Sequence, residues 1–425
     1  MRGRMLISLG LACAAAGILR AENDKPDESL TLIVRHDGTA VSVATITRDD
    51  YLLVAGVGKG GGKVSVPSHT VKEVLYANRD ENYSTALEKR DEERFSLAAL
   101  YFKKALEKMP TEKWAVEYCN YGLGNALYAK GAFTGIARDG VPIAASPATC
   151  FGKVLEANPR SRFLPEIAVK LPVCLAEEGK LDAAEAALRS SEAQIRQYRA
   201  DLLKDNVAGL RLADRARAEL AITAARIAER RAEAGTGDRQ PIPKQPGIGV
   251  SPPGAAAVEQ WRTARARCAS FPELWAESAT GVLRALIGNR EWDAALSEAA
   301  GILERLKNEP SAKNAALAAA AHVSAGKAHL AQAEAFAQKQ QKLQASMAYA
   351  EARWAFLNAL GTCSGDEELT ATAHYFAGVC YDKLRGVESD AGQKAGREWA
   401  LVVERFPRSS VREMAARELA RARAE

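Results

Sequence analysis

Phe95, Ala98, Phe102, Ala105 and Leu106 fall on one face of a helix, and Pro110 then stops it. Small residues on that face let a neighbouring helix approach closely, while the aromatic rings fill the groove between the two. The pattern recurs at Tyr349, Ala352, Phe356, Ala359 and Leu360, and at Ala395, Trp399, Val402, Val403 and Pro407. Phe151, Val154, Leu155 and Pro159 fit it. Leu181, Ala184 and Leu188 keep half of it, as do Trp292, Ala295, Ile302 and Leu303. Six matches in one order, three ending at a proline, imply stacked helical units that each bury one face on the next. Composition agrees: 47% of the residues are hydrophobic but only 6% aromatic, which suits closely packed, alanine-rich helices and excludes a wholly disordered chain.

These windows resemble the second helices of tetratricopeptide (TPR) repeats. Matching first helices stand at Tyr121-Gly-Leu-Gly124 with Tyr128, and at Ala377-Gly-Val-Cys-Tyr381. The turns Phe406-Pro-Arg-Ser409 and Asn158-Pro-Arg-Ser161 resemble the aromatic-Pro-x-Ser turns of exported bacterial TPR proteins, a group that includes outer-membrane assembly lipoproteins and cell-division coordinators. The resemblance covers Asn78 to the C-terminus with degenerate repeats. It is interrupted by an inserted loop, Gly131 to Ser146, and by longer or more polar helices at Ala183–Glu233 and Asn314–Leu343. The expected fold class is mainly α, a TPR-like helical-repeat superhelix preceded by a small SH3-like or Sm-like β module. Its expected parts are a signal peptide at 1–21, the β module at 29–77, a helical arm at 78–234, a proline- and glycine-rich linker at 235–255 and a second helical arm at 256–425.

The β module is read from short β-branched runs: Leu30–Arg35, Ala40–Ile46, Tyr51–Ala55, Lys63–Pro67 and Val71–Tyr76. Five strands in so few residues make a slight core, which is expected to dock on the helices that follow. The glycine tip Gly56–Gly62 is a hairpin turn rather than a phosphate loop, because Lys63 leads into Val64 and a strand instead of a Ser or Thr and a helix.

At the N-terminus, Arg2 and Arg4 precede an apolar run from Leu6 to Leu19, with a small residue at Ala21 before the acidic Glu22 and Asp24. That is the layout of a signal peptide, and it predicts an exported, periplasmic protein. Leu9-Gly-Leu-Ala-Cys13 offers a lipoprotein alternative through Cys13. The run is too short to span a bilayer and no second one follows, so no transmembrane segment is expected. Six cysteines remain beyond the leader, Cys119, Cys150, Cys174, Cys268, Cys363 and Cys380; export permits disulfides among them, but apolar helical surroundings do not require any.

No motif carries chemistry. The five histidines, His36, His69, His322, His329 and His374, are scattered without metal-ligand spacing, so no metal or cofactor is expected. Acidic residues alternate with Lys and Arg on helix surfaces, and neither a nucleophile elbow nor a dinucleotide fingerprint is present. A net charge of +5 without a dense basic run argues against nucleic acid. What remains is a non-enzymatic protein-binding scaffold of the cell envelope that takes a partner's peptide or helix in the concave face of the solenoid. The competing class is a small-ligand binder or enzyme built on the same helices. With Leu123 and Gly124 packed, Tyr118, Tyr121, Asn125 and Tyr128 form the expected partner-binding stripe, unless these tyrosines pack on the inserted loop. In peptide-binding TPR proteins an asparagine follows that glycine, as Asn125 does; Tyr121 replaces their basic residue one turn earlier. The same projection places Tyr375, Asp382 and Lys383 on the groove of the last repeat.

Overall fold

The structure is a computed structural model that describes residues 29–133, 145–235, 254–308, 315–362 and 365–424. The chain divides into two compact units, Met1–Thr223 and Ala224–Glu425.

The first unit opens with six strands: β1 (Thr31–Arg35), β2 (Ala40–Val43), β3 (Thr45–Asp49), β4 (Leu53–Val57), β5 (Lys63–Pro67) and β6 (Val71–Leu75). They form two antiparallel three-stranded sheets in the orders β2-β1-β6 and β3-β4-β5. The run Ala40–Ile46, expected as one strand, breaks at Ala44, so the chain leaves one sheet and enters the other. Register shifts follow between Ile46 and Arg48 and between Val34 and Arg35, where the strands bend. Gly58 and Gly62 close the β4–β5 hairpin, with the Gly58 amide donating to the Gly62 carbonyl at 2.8 Å. Ile33, Val43, Val54, Val66, Val71 and Val74 alternate inward along the strands and join one core with Tyr83, Phe102, Tyr118 and Leu123 of the helices, so the module docks as expected.

Helices then run to the end: α1 (Glu81–Asp91), α2 (Phe95–Lys108), α3 (Lys113–Ala129), α4 (Pro147–Ala157), α5 (Leu164–Glu177), α6 (Leu181–Asp201) and α7 (Val207–Gly235), followed by α8 (Ala255–Arg267), α9 (Pro272–Gly288), α10 (Trp292–Asn308), α11 (Ala315–Gln338), α12 (Lys342–Thr362), α13 (Glu367–Lys383), α14 (Ala391–Arg405) and α15 (Arg412–Ala424). The six windows read as second helices fall on α2, α4, α6, α10, α12 and α14. α2, α4 and α14 end two residues before Pro110, Pro159 and Pro407. The stretch 183–233 is not continuous: Leu202–Asn206 turns the chain between α6 and α7. The division between the two units falls inside α7, whereas most of the expected linker, 235–255, lies outside the described residues, as do the expected signal peptide, 1–21, and most of the expected inserted loop.

Two local devices repeat and account for the pairing. Inside five pairs the turn carries a left-handed residue: Glu93, Gly131, Gly179, Arg290 or Gln340, with φ between 58° and 77°. Beside each, an amide reaches back five residues to a carbonyl of the preceding helix, as from Arg94 to Lys89 at 2.8 Å and from Lys180 to Leu175 at 2.9 Å. This caps the first helix and reverses the chain. Second, each of five glycines lies against the ring of an aromatic residue on an adjacent helix. A Cβ would stand 2.4 Å from Phe102 at Gly122, 2.7 Å from Phe151 at Gly124, 2.3 Å from Trp261 at Gly281, 2.7 Å from Phe356 at Gly326 and 2.5 Å from Trp399 at Gly378. No side chain fits there, so the helices meet with a ring of one over the backbone of the other. Among the described residues no helix is long and apolar enough to cross a membrane.

Candidate functional site

The stripe expected on α3 divides into two halves. Its N-terminal half is covered. Tyr118 is buried, and its hydroxyl donates to Asp49 Oδ2 at 2.5 Å, the same oxygen that accepts from Tyr76 at 2.9 Å. Tyr118 therefore does not lie on an open groove: Asp49, at the end of β3, and Tyr76, just beyond β6, cover it. Trp114 stacks on Tyr76 with ring centres 4.5 Å apart. Beside Tyr118, Glu117 accepts from Ser161 Oγ at 2.6 Å and from Asn158 Nδ2 at 3.0 Å. The Asn158-Pro-Arg-Ser161 turn thus has a structural use, since its first and last residues bind an acid of the preceding first helix. Phe406-Pro-Arg-Ser409 stands in a similar place, where Ser410 binds Glu368 of α13 through its amide, 3.2 Å away, and its hydroxyl.

The C-terminal half of the stripe is half-buried and faces α5. The Tyr121 ring stacks on Phe163 with centres 3.6 Å apart, and its hydroxyl donates to Glu166. Burial, then the Glu166 charge, raises the Tyr121 phenol well above its ordinary value, so it stays a neutral donor. Asn125 Oδ1 accepts from Lys170 Nζ at 2.8 Å, and Lys170 also binds Glu166 one turn earlier at 2.5 Å. The same ammonium sits 5.0 Å from the centre of the Tyr128 ring, which meets Phe133 edge-on at 5.5 Å. Tyr128 therefore does pack on the first described residues of the inserted loop, while Tyr121 packs on the turn before α5. Two rings, an amide, a carboxylate and an ammonium lie along two neighbouring first helices. Such a set offers flat apolar contact with hydrogen bonding in both directions, which suits a polypeptide. Sequence reasoning missed Glu166 and Lys170. The available signal was their four-residue spacing on the next first helix.

In the second unit the three projected residues do not form one surface. Tyr375 is buried: its carbonyl accepts from Trp399 Nε1 at 3.2 Å, and it shares a core with Ala415 of α15, so the last helix covers it. Asp382 is held by Arg421 and Arg385, each at 2.7 Å. Lys383 is exposed.

Cys119, Cys150, Cys174 and Cys380 are buried free thiols, Cys268 is buried, and Cys363 lies outside the described residues. Burial pushes the Cys119 and Cys174 thiols up to about 12 and Cys150 to about 11, which keeps them protonated and poorly nucleophilic. Among the described residues no group of three or more His, Cys, Asp or Glu side chains is placed to hold a metal ion.

No protein-family model matches the chain, and no curated protein matches it. Solved structures similar to it include an IFIT1 monomeric mutant with Gppp-AAAA, at 15% identity and a TM-score of 0.35, covering 78% of this chain and 61% of that one. The human IFIT1 dimer with m7Gppp-AAAA stands at 14% identity and 0.34, covering 78% and 59%. The TPR domain of P58(IPK) stands at 13% and 0.20, covering 81% and 98%. The chain thus spans about three fifths of the IFIT1 chains it matches. The paired helices, their repeated caps and the glycine–aromatic contacts make the described helices a TPR-like α-solenoid, joined to a small antiparallel β region.

Proposed function

We propose that this protein is an exported, non-enzymatic interaction scaffold whose helical repeats bind a peptide or helix of another envelope protein. The observation that carries the reading is the line of Tyr121, Asn125 and Tyr128 on α3 beside Glu166 and Lys170 on α5. Tyrosine rings give large contact area at low entropic cost, and the amide and ammonium are held ready to pair with main-chain carbonyls or carboxylates. Export rests on the charged, apolar and small-residue layout of positions 1–21.

A photo-reactive phenylalanine derivative placed at Tyr128 tests the site in cells that express the full chain. Illumination is expected to give one dominant protein adduct there, and none when the same group replaces Trp354, a 64% exposed residue on α12 in the second unit. Equal labelling from both positions, or adducts from Trp354 alone, would remove this face from the proposal.

A further inference from the structure

Two carboxylates and one guanidinium meet where the β module lies on the helices. Asp49 comes from the end of β3, Glu117 from the first turns of α3 and Arg162 from the turn between α4 and α5. One amide spans the two residues: Asn158 Nδ2 donates to the Glu117 carboxylate at 3.0 Å and to the main-chain carbonyl of Asp49 at 3.2 Å. Arg162 is the cation facing both, and it also ties the module down by donating to the carbonyls of Val71 at 2.8 Å and Lys72 at 3.1 Å. The other described groups beside the acids are neutral or already paired. Tyr76 and Tyr118 are neutral phenols bound to Asp49, Tyr83 of α1 is buried, Asp50 is paired with Arg48 at 2.6 Å, and Arg90 of α1 is paired with Glu73 and Asp91. Asp49 Oδ1 and Arg162 Nη1 are buried without a hydrogen-bond partner. With both acids ionised, the junction therefore holds one uncompensated negative charge largely away from water, an arrangement that burial disfavours unless a proton neutralises it.

We propose that the junction is a proton-dependent latch, in which one proton taken up by either Asp49 or Glu117 holds the β module on the helices and its loss loosens the module. The electrostatics agree with the geometry. Burial is the main cause that raises both acids, taking Glu117 up to about 7 against the donors Ser161 and Asn158, with the Asp49 charge adding to the rise. An acid that holds its proton more tightly when docked favours docking on the acid side. That contribution is complete below the ordinary carboxylate range and is lost as the pH rises through about 7.

Hydrogen–deuterium exchange on the full chain tests the latch. Protection of β1 and β6 is measured at about pH 6 and about pH 8.5, corrected for intrinsic exchange and referred to α13 of the other unit. Protection is expected to fall about tenfold or more between the two conditions in the natural protein. Glu117→Gln, a neutral isostere that keeps partners for Ser161 and Asn158, is expected to abolish the fall, and so is Asp49→Asn. If Asp49→Asn fails to fold, Glu117→Gln gives the reading alone. Equal protection at both conditions in the natural protein, or a fall that survives in every variant that folds, would overturn the proposal.

Discussion

Replacing Phe102 by alanine is expected to cost about 3 to 5 kcal/mol of stability in the first unit, the range for deleting a buried aromatic whose site cannot collapse. Phe102 is 1% exposed, meets the Tyr83 ring at 5.9 Å and fills the space over the backbone of Gly122. The surrounding groups are anchored by their own repeats, so the cavity stays open. Denaturant unfolding followed by near-ultraviolet circular dichroism reads the loss. A change below about 1 kcal/mol, typical of surface positions, would show that this ring does not hold α2 against α3.

The second large effect concerns Gly281 and Trp261. Adding one methyl group at Gly281 places a carbon 2.3 Å from the indole of Trp261, which is 1% exposed and has nowhere to move. Alanine gains about 1 kcal/mol in helix propensity over glycine, but overpacking costs about 1 to 3 kcal/mol and sometimes more. Here the clash is expected to win, with Gly281→Ala lowering stability by about 2 kcal/mol or more. Trp261→Leu opens a cavity and is destabilising by itself, yet it creates room for the new methyl group. The double variant is therefore expected to be more stable than the sum of the single losses allows, by about 1 kcal/mol or more. Strict additivity would mean that the ring and the glycine do not pack as described.

The second helices were legible because the large and small residues that pair them are local and periodic. Phe102, Phe151, Phe356 and Trp399 announce themselves by spacing, and each then lies on a glycine of an adjacent helix. The direction in which a first-helix side chain faces was less legible, since it depends on what covers it. Tyr118 has the spacing of an open stripe, but its partner Asp49 lies 69 residues away in the β module. Tyr375 fits the same projection, yet α15 closes over it, and nothing in the periodicity of α13 foretells that helix. Ala44 breaks a run that alternates well enough to pass as one strand, because the sheet change is a requirement of the module as a whole. Glu166 and Lys170 were overlooked for another reason: an i,i+4 acid–base pair on a helix is usually a solvated face. Here the ammonium instead reaches across to Asn125 and Tyr128 on the next first helix.

The central claim is that the α3–α5 face binds a polypeptide. The most direct measurement is calorimetric titration of the full chain with the partner segment identified by crosslinking at Tyr128. It is repeated with Asn125→Ala and Lys170→Ala, with the melting temperature of each recorded alongside. Each variant is expected to bind about tenfold or more weakly while melting close to the natural protein, since removing a paired polar group at a buried contact typically costs more than about 1 kcal/mol of binding. Unchanged affinity in both variants would contradict the claim and place the binding of that segment elsewhere on the protein.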